Sequence, residues 1–306
     1  MLEEKRKTMN VPETPPIPRA ILVTDAGCDL PPADLERYNV HVAPLKILFG
    51  DASYRSGIDI THQQFYARLA QGDVHPTTSQ PTVPDFVALY RELGASGAPI
   101  LSIHISEGLS GTVNVARQAA AQLPELDITV HDSGTLSAAT GFQVIVAARA
   151  IAAGYSIADV LPLLEQTHAA TNLLFSVEDL TYLHRGGRIG GVRYQVGQLL
   201  KIKPIVTVEK HGPKAGTYIQ AGRARSLAKA GDIFVERAAE AAGPGGKLRA
   251  VAVYGSDSTL AEDLIERLKR EFDVVYGAAL PTAPVLGVHV GPGALGLIYA
   301  PGDWPV

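Results

Sequence analysis

Small polar residues stand beside apolar runs of this sequence, at positions where they could bind an anion. Hydroxyl groups and the amides at the start of a helix donate hydrogen bonds to a carboxylate or phosphate without a formal cation. If the apolar runs are neighbouring parallel strands, these residues meet at the sheet edge where open α/β sheets bind ligands. The residues are Asp25, Thr78, Ser79, Ser110, Gly111 and Asp132.

Each of these residues also has a purely structural interpretation. Ser110 can cap a helix that begins near Gly111, and a hydroxyl before Pro81 can cap or turn the chain. For Asp25 and Asp132, binding to loop amides is the favoured interpretation. The convergence of several such segments, rather than any one of them, indicates an anion site.

Two glycine-rich segments could bring the backbone close to a ligand or a partner protein. Residues 182–191, YLHRGGRIGG, place Arg188 among glycines, so a guanidinium group can project outward; the alternative is a solvated loop. His289 lies in the apolar segment GVHVGPG at 287–293. A lone histidine there is more often a buried core residue, but the flanking glycines favour a close approach by a ligand.

Residue spacing excludes several common cofactor sites. The segment GPGALG at 291–296 matches GxGxxG in form, but too little chain follows it for a βαβ unit. The sequence has no GxxxxGK followed by Ser or Thr, and therefore no P-loop. The nine histidines and the single Cys28 show no spacing typical of zinc ligands. We predict neither a metal site nor a cofactor.

The composition predicts a folded, cytoplasmic protein. Of the 306 residues, 46% are hydrophobic and 19% are charged, with a net charge of -4, which excludes disorder as the main state. A single cysteine excludes a disulfide framework and suits a reducing compartment. The sequence has no basic cluster typical of nucleic-acid binding and no segment typical of a membrane span or a secretory leader.

In the first half, apolar runs alternate with helical patterns, which predicts an α/β lobe with a mainly parallel sheet and flanking helices. The runs are uninterrupted, as is typical of strands buried on both faces. The predicted strands cover residues 20–24, 41–49, 99–105 and 127–131, and the predicted helices cover residues 61–70, 84–93, 112–123 and 138–153.

From about residue 172 the pattern predicts an α+β lobe with antiparallel strands. The division is therefore a disordered tail over 1–19, an α/β lobe over 20–171 and an α+β lobe over 172–306. The elements of the second lobe are strands at 173–177, a hairpin of 202–208 with 217–221, strands at 248–254 and 274–279, a glycine-rich pair at 285–290 and 295–300, and helices at 232–242 and 259–271.

Seven motifs follow one another along the chain. They are TDAGCDL at 24–30, TTSQP at 77–81, SEGLSGT at 106–112, HDS at 131–133, YLHRGGRIGG at 182–191, LLKIKPI at 199–205 and HVGPGALG at 289–296. Each is weak alone, but together and in this order they make the chain resemble the DegV family of bacterial fatty-acid-binding proteins from about residue 20 to residue 300.

The resemblance implies a two-lobed, DegV-like fold that encloses one long-chain fatty acid. It also implies that the carboxylate is presented to a separate ATP-dependent fatty-acid kinase and that the acyl phosphate is held afterwards. The chain would then be a carrier subunit and not itself an enzyme. The implied carboxylate contacts are Thr78, with Thr77 as the adjacent alternative, Ser79, Ser110, Gly111 and His289; the implied partner or phosphate contacts are Arg188 and Arg223.

One departure and two other hypotheses accompany this resemblance. Ala26 stands where the family commonly has serine, so one hydroxyl near the pocket is missing. A serine hydrolase of lipid esters would use Ser110 as nucleophile and His289 as base, with Asp25 or Asp132 as orienter, although Ser110 lacks the GxSxG elbow. A lipid sensor independent of any kinase would use the same pocket.

Overall fold

The computed structural model describes residues 20–72, 74–192 and 202–306. The predicted tail at 1–19 and the first residues of LLKIKPI lie outside the described residues.

Within the described ranges the chain forms thirteen strands and ten α-helices. The strands are β1 Ile21–Asp25, β2 Val40–Ala43, β3 Lys46–Phe49, β4 Ala52–Arg55, β5 Thr77–Ser79, β6 Ile100–His104, β7 Ile128–Asp132, β8 Asn172–Val177, β9 Lys203–Val208, β10 Tyr218–Ala224, β11 Lys247–Tyr254, β12 Asp273–Pro281 and β13 Ala294–Pro301. The helices are α1 Pro32–Arg37, α2 His62–Gln71, α3 Val83–Gly94, α4 Thr112–Ala121, α5 Ser137–Ala152, α6 Ile157–Ala170, α7 Thr181–Arg185, α8 Leu227–Ala242, α9 Thr259–Glu271 and α10 Pro284–Val290.

The first half contains the predicted parallel sheet with helices on both faces. Four strands pair in parallel in the order β2-β1-β6-β7. Helix α5 packs on one face, where Val144 contacts the core around Leu101, and helices α3 and α4 cover the other face through Phe86 and Ala116. Every residue of β1 and β6 is buried, so neither strand shows the alternation of a half-exposed one, although both also carry buried polar residues. The prediction of an α/β first lobe is confirmed.

The second half contains a six-stranded sheet in the order β10-β9-β8-β13-β11-β12. Every neighbouring pair is antiparallel except β11 with β12, which is parallel. Helices α8 and α9 cover its outer face. Its inner face packs on the first half, where Phe175 and Ile298 share one apolar cluster with Leu136 and Phe142. The predicted α+β lobe with antiparallel strands is confirmed, and the two halves share a core.

Two sequence predictions differ from the structure. The predicted strand at 41–49 is two strands, β2 in the parallel sheet and β3 in a small antiparallel sheet of order β4-β3-β5. Pro44 separates them, since proline has no N–H for a sheet hydrogen bond. The segment 285–290, predicted as a strand, belongs to helix α10, which begins with Pro284 at its first position and ends before Gly291 at φ 73°. An apolar run this short fits either structure by periodicity alone.

Several elements were not predicted from the sequence, namely α1, β4, β5, α6 and α7. Four of them are six residues or shorter. The fourteen-residue helix α6 does carry a start signal, because Ser156 and Asp159 form a capping box at its first turn. Within the described ranges, no helix is both long enough and apolar enough to cross a membrane.

Candidate functional site

A cavity lies between the two halves of the molecule. It contains about 810 Å³ of empty space, its mouth included. Strands β8, β11 and β13 and helix α10 supply most of its wall from the second half, while Leu45, Ile105 and Leu136 contribute from the first half. The wall is largely aliphatic, so the cavity suits a long apolar ligand.

One end of the cavity is polar, and four of the residues singled out from the sequence lie there. Thr78, Ser110, Arg188 and His289 all line the cavity. Thr78 Oγ1 and His289 Nε2 share a hydrogen bond of 3.0 Å. Residues from four separate segments therefore meet at one place, although only two of them, Thr78 and Ser110, belong to the segments of the predicted anion site.

Strand β5 determines which of its hydroxyls faces the cavity. Side chains alternate between the two faces of a strand, and on β5 Thr77 and Ser79 are exposed while Thr78 is half-buried. Thr78 lines the cavity, whereas Thr77 and Ser79 do not. The Ser79 hydroxyl instead donates to the carbonyl oxygen of Gln80 at 3.1 Å.

Ser110 and Gly111 stand at the start of helix α4. The Ser110 hydroxyl accepts from the Thr112 amide at 3.3 Å and shares a 2.8 Å hydrogen bond with the Thr112 hydroxyl. Ser110 therefore bonds to the first residue of the helix and lines the cavity at once, while Gly111 is the N-cap residue. A Cβ atom on Gly111 would lie 2.6 Å from Nε2 of Gln80, so only glycine fits that position without movement of Gln80.

His289 lies near the end of helix α10 with a buried ring. Burial lowers the pKa of His289 to about 4, and the charges of Arg188 and His75 act in the same direction. Its Nδ1 atom is buried and has no hydrogen-bond partner among the described residues. The ring packs so closely on Gly186 that a Cβ there would overlap Nδ1. At neutral pH the ring is uncharged, and Nε2, which pairs with Thr78, is its hydrogen-bonding atom among the described residues.

Arg188 is fixed at the mouth of the cavity. Its guanidinium group donates to the carbonyl oxygen of Gly186 at 2.7 Å and to that of Leu109 at 3.2 Å. Both Ser110 and Arg188 also line an adjoining surface depression of about 660 Å³. Its other lining residues include glycines from two segments, Gly108, Gly111, Gly187 and Gly190.

Arg223 is not part of this cluster. It is exposed on strand β10 and lines a separate shallow depression with Gly191 and Gln220. Of the two arginines singled out from the sequence, the structure thus places only Arg188 at the cavity.

The two aspartates bind loop amides, as the favoured interpretation predicted. Asp25 is fully buried and accepts from the amides of Gly27 at 2.9 Å and Ile105 at 3.0 Å. Asp132 accepts from the amides of Gly134 at 2.9 Å and Glu107 at 3.3 Å. Neither aspartate is a lining residue of the cavity.

The hydrolase hypothesis lacks its triad. Ser110 bonds to Thr112 rather than to His289, and no carboxylate orients Nδ1 of His289 within the described chain. A serine–histidine–aspartate chain does exist elsewhere: Ser102 Oγ lies 2.7 Å from Nε2 of His104, whose Nδ1 lies 3.0 Å from Asp25. All three side chains are fully buried, so a substrate cannot reach them.

A second polar patch lies in the wall of the cavity and was not predicted from the sequence. The hydroxyls of Ser137 and Thr282 line the cavity, and both donate to the buried carboxylate of Asp29. These residues stand more than a hundred positions apart along the chain, so no local motif indicates that they meet. Among the described residues there is no cluster of three or more potential metal ligands.

The sequence and the fold both match known proteins over nearly the whole chain. A family model described as "Uncharacterised protein, DegV family" matches residues 20–302. A DegV domain-containing protein of Deinococcus radiodurans is 40% identical over 289 residues, which cover 94% of this chain and 98% of the relative.

Two solved structures share the fold. A DegV family protein from Thermus thermophilus, whose structure is reported for its fatty-acid binding, has a TM-score of 0.83 and 36% identity, covering 93% of this chain and 100% of its own. DegV of Bacillus subtilis, a fatty acid binding protein, has a TM-score of 0.85 and 32% identity, covering 93% of this chain and 99% of its own.

Proposed function

Because the chain belongs to the DegV family, we propose that it binds one long-chain fatty acid in the cavity between its two halves. The observation that carries the proposal is a largely aliphatic cavity with one polar end. Burial of about 14 methylene groups at roughly 0.8 kcal/mol each contributes about 11 kcal/mol before ordering costs. The acyl chain therefore supplies most of the affinity.

The carboxylate of the acid lies at the polar end, where a buried charge needs hydrogen-bond donors. Thr78 and Ser110 supply hydroxyls there, and neutral His289 supplies one N–H. Gly111 contributes the backbone at the start of helix α4, at the rim of the mouth. Ser79 acts indirectly, by its bond to Gln80 beside Gly111.

We further propose that a separate ATP-dependent fatty-acid kinase phosphorylates the bound acid and that this chain holds the acyl phosphate. A carboxylate oxygen would attack the γ-phosphorus of ATP, the bond to the bridging oxygen would break, and ADP would leave. Hydroxyl donors support this step, because they hold the carboxylate without pairing it to a fixed cation. Arg188 stands at the mouth to receive the phosphate, and exposed Arg223 is available to the partner protein.

In this proposal the chain is a cytoplasmic carrier subunit and the kinase is the enzyme. The absence of a P-loop from the sequence supports that division, because the nucleotide and its Mg²⁺ then belong to the kinase. A kinase-independent lipid sensor would bind the same acid in the same cavity but would never release an acyl phosphate.

Native mass spectrometry of freshly purified protein, followed by denaturing extraction, tests lipid binding. We expect one fatty acid per chain, and the Ser110→Ala variant should retain less of it. A protein that is purified empty and takes up no added fatty acid would contradict the proposal.

The kinase step is tested with a purified bacterial fatty-acid kinase subunit, ATP and lipid-loaded protein. The Arg223→Ala variant should bind lipid normally but yield less acyl phosphate than the matched variant Arg225→Ala, which removes another exposed arginine two residues away. If the wild-type protein binds lipid normally but yields no acyl phosphate, the kinase proposal is wrong and the sensor hypothesis is favoured.

A further inference from the structure

We propose that Asp29, Ser137 and Thr282 form a second polar subsite in the cavity, which binds a hydroxyl group near the middle of the acyl chain. Long-chain fatty acids with a mid-chain hydroxyl would then be ligands of this protein. The inference rests on the fatty-acid binding proposed above and specifies the class of acid that the cavity accepts.

Asp29 organises this subsite from behind the cavity wall. Its carboxylate accepts from the Ser137 hydroxyl at 2.5 Å, from the Thr282 hydroxyl at 3.1 Å and from the Ala283 amide at 2.7 Å. Burial raises the pKa of Asp29 to about 6, so at neutral pH it is ionised and acts only as an acceptor. Both hydroxyl protons therefore point at Asp29, away from the cavity.

This orientation determines which ligand group fits. A hydroxyl whose proton is already donated still carries lone pairs and can accept a hydrogen bond. Ser137 and Thr282 both line the cavity, so their oxygens present acceptors to the acyl chain. A methylene group leaves these acceptors unused, whereas a ligand O–H donates to one of them.

The backbone at this place is strained. Asp29 has φ 41° and Ser137 has φ 57°, and among the described residues Asn39 is the only other non-glycine residue with positive φ. The left-handed region costs such residues roughly 1 kcal/mol or more each, and such strain clusters at ligand-binding sites. Asp29 and Ser137 thus both adopt unfavourable backbone conformations at the point where they meet in an otherwise apolar wall.

Helix α10 sets the distance from this subsite to the carboxylate end. Thr282 stands two residues before its start, and His289 is its sixth residue. The five helical steps from Pro284 to His289 give roughly 8 Å at a rise of 1.5 Å each, and the two extended residues before the helix add at most about 3.3 Å each. The separation is therefore roughly 8–14 Å, or about six to eleven carbons of an extended chain. In an eighteen-carbon acid, the hydroxyl would stand near the ninth or tenth carbon.

A purely structural role is the competing explanation, because Asp29 connects the segment after β1 to the segment before α10. A structural connection affects every ligand equally. A hydroxyl subsite affects only acids whose hydroxyl stands at the matching carbon. The two roles therefore differ in how affinity depends on hydroxyl position.

The test measures the dissociation constants of three eighteen-carbon acids by titration of delipidated protein. The acids are octadecanoic acid, its derivative hydroxylated at the tenth carbon, and an isomer with the hydroxyl about four carbons closer to the carboxylate. We expect the mid-chain hydroxy acid to bind within about threefold of octadecanoic acid, and the isomer to bind at least about tenfold more weakly, because its hydroxyl is buried without a partner.

Two variants of Thr282 complete the test. Thr282→Val should weaken the mid-chain hydroxy acid at least about fivefold more than it weakens octadecanoic acid, because only the hydroxy acid loses a hydrogen-bond partner. Thr282→Ser keeps the hydroxyl and should restore the affinity. Asp29 retains its bonds to Ser137 and Ala283 in both variants.

Three results would overturn the inference. If wild-type protein binds octadecanoic acid but rejects both hydroxy acids equally, the subsite is wrong while the proposed function stands. If Thr282→Val weakens all three acids equally, the cluster is structural. If wild-type protein binds none of the acids, the proposed function fails and this inference fails with it.

Discussion

At the scale of single residues, the alternation of side chains along β5 explains how one hydroxyl among three neighbours reaches the cavity. Thr77, Thr78 and Ser79 have similar chemistry, and the sequence does not distinguish the first two. Strand geometry does, because only the middle residue points inward. Thr78 therefore differs from its neighbours in the direction of its side chain and not in its chemistry.

We expect Thr78→Val to weaken fatty-acid binding by about tenfold, because a hydrogen bond to a charged group is worth roughly 1.5–3 kcal/mol. The matched variant Thr77→Val makes the same change on the exposed face and should bind normally. Titration of delipidated protein with octadecanoic acid measures both. Equal losses in the two variants would contradict the assignment of the carboxylate to Thr78.

The lowered pKa of His289 makes the stability of the lipid-free protein depend on pH. The unfolded chain takes up a proton on His289 near pH 6.5, whereas the folded protein takes it up only near pH 4. Between these values the unfolded state binds more protons, so stability falls as the pH decreases. This histidine alone contributes a loss of about 3 kcal/mol by pH 4.

The variant His289→Gln should lack this part of the acid destabilisation, as measured by urea unfolding at several pH values. Asp29 has the opposite sign, because its pKa is raised, so its contribution increases stability as the pH falls through 6. The comparison is therefore between wild type and variant at each pH. Parallel pH profiles would contradict the buried, neutral state of His289.

The sequence predicts the residues at the polar end of the cavity better than those in its wall. Thr78, Ser110, Arg188 and His289 all belong to recognisable motifs, and the structure brings them together. Asp29, Ser137 and Thr282 interact only through tertiary contacts between three distant segments. No local sequence pattern indicates that these three residues are in contact, so the polar patch was not predicted.

At the scale of elements, most strands of the two main sheets could be predicted because they contain distinct apolar or β-branched runs. Helix α10 could not, because seven largely apolar residues fit a strand or a helix equally. The residues at the two ends of the segment favour a helix. Pro284 suits a first helical position, and Gly291 adopts the positive φ that ends the helix. The error matters, because α10 carries His289 toward the cavity.

The contact between Gly186 and His289 gives a test of how two elements position the ring. A methyl group on Gly186 would overlap Nδ1 of His289, so Gly186→Ala should displace the ring and weaken fatty-acid binding by about tenfold. It should also cost roughly 1–3 kcal/mol of stability. Calorimetric titration and urea unfolding measure the two effects.

The matched control is Gly231→Ala in the interior of helix α8. A methyl group there meets only Leu295, at 3.7 Å, so the helix should gain about 0.5–1 kcal/mol from the lower conformational freedom of alanine. Fatty-acid binding should stay normal. Equal affinities in the two glycine variants would show that Gly186 does not position His289.

At the scale of the whole molecule, hydrogen bonds outside the cavity wall also hold the two halves together. Tyr276 of β12 donates to Asp34 of α1 at 2.6 Å, and Ser106 donates to the carbonyl oxygen of Gly216 at 2.9 Å. The division at residue 171 stays a prediction, and the shared core across it indicates that the halves unfold together.

A bound fatty acid should therefore stabilise both halves at once. Free ligand at about a hundred times its dissociation constant should raise the free energy of unfolding by about 2.7 kcal/mol, in a single transition. Differential scanning calorimetry of delipidated and reloaded protein measures this. Two separate transitions, of which only one responds to the acid, would show that the halves unfold independently.

The hydrogen bond between Thr78 and His289 has a consequence for the rate of lipid exchange. It joins β5 of the first half to α10 of the second, at the place proposed above for the carboxylate. An arriving acid takes over these two groups, and a departing acid allows them to pair again. Ligand release and re-formation of this bond are then one event, so its strength sets the residence time of the acid as well as its affinity. In the proposed carrier, a stronger bond between Thr78 and His289 favours the empty cavity and shortens the residence time of the acid, whereas a weaker bond lengthens it.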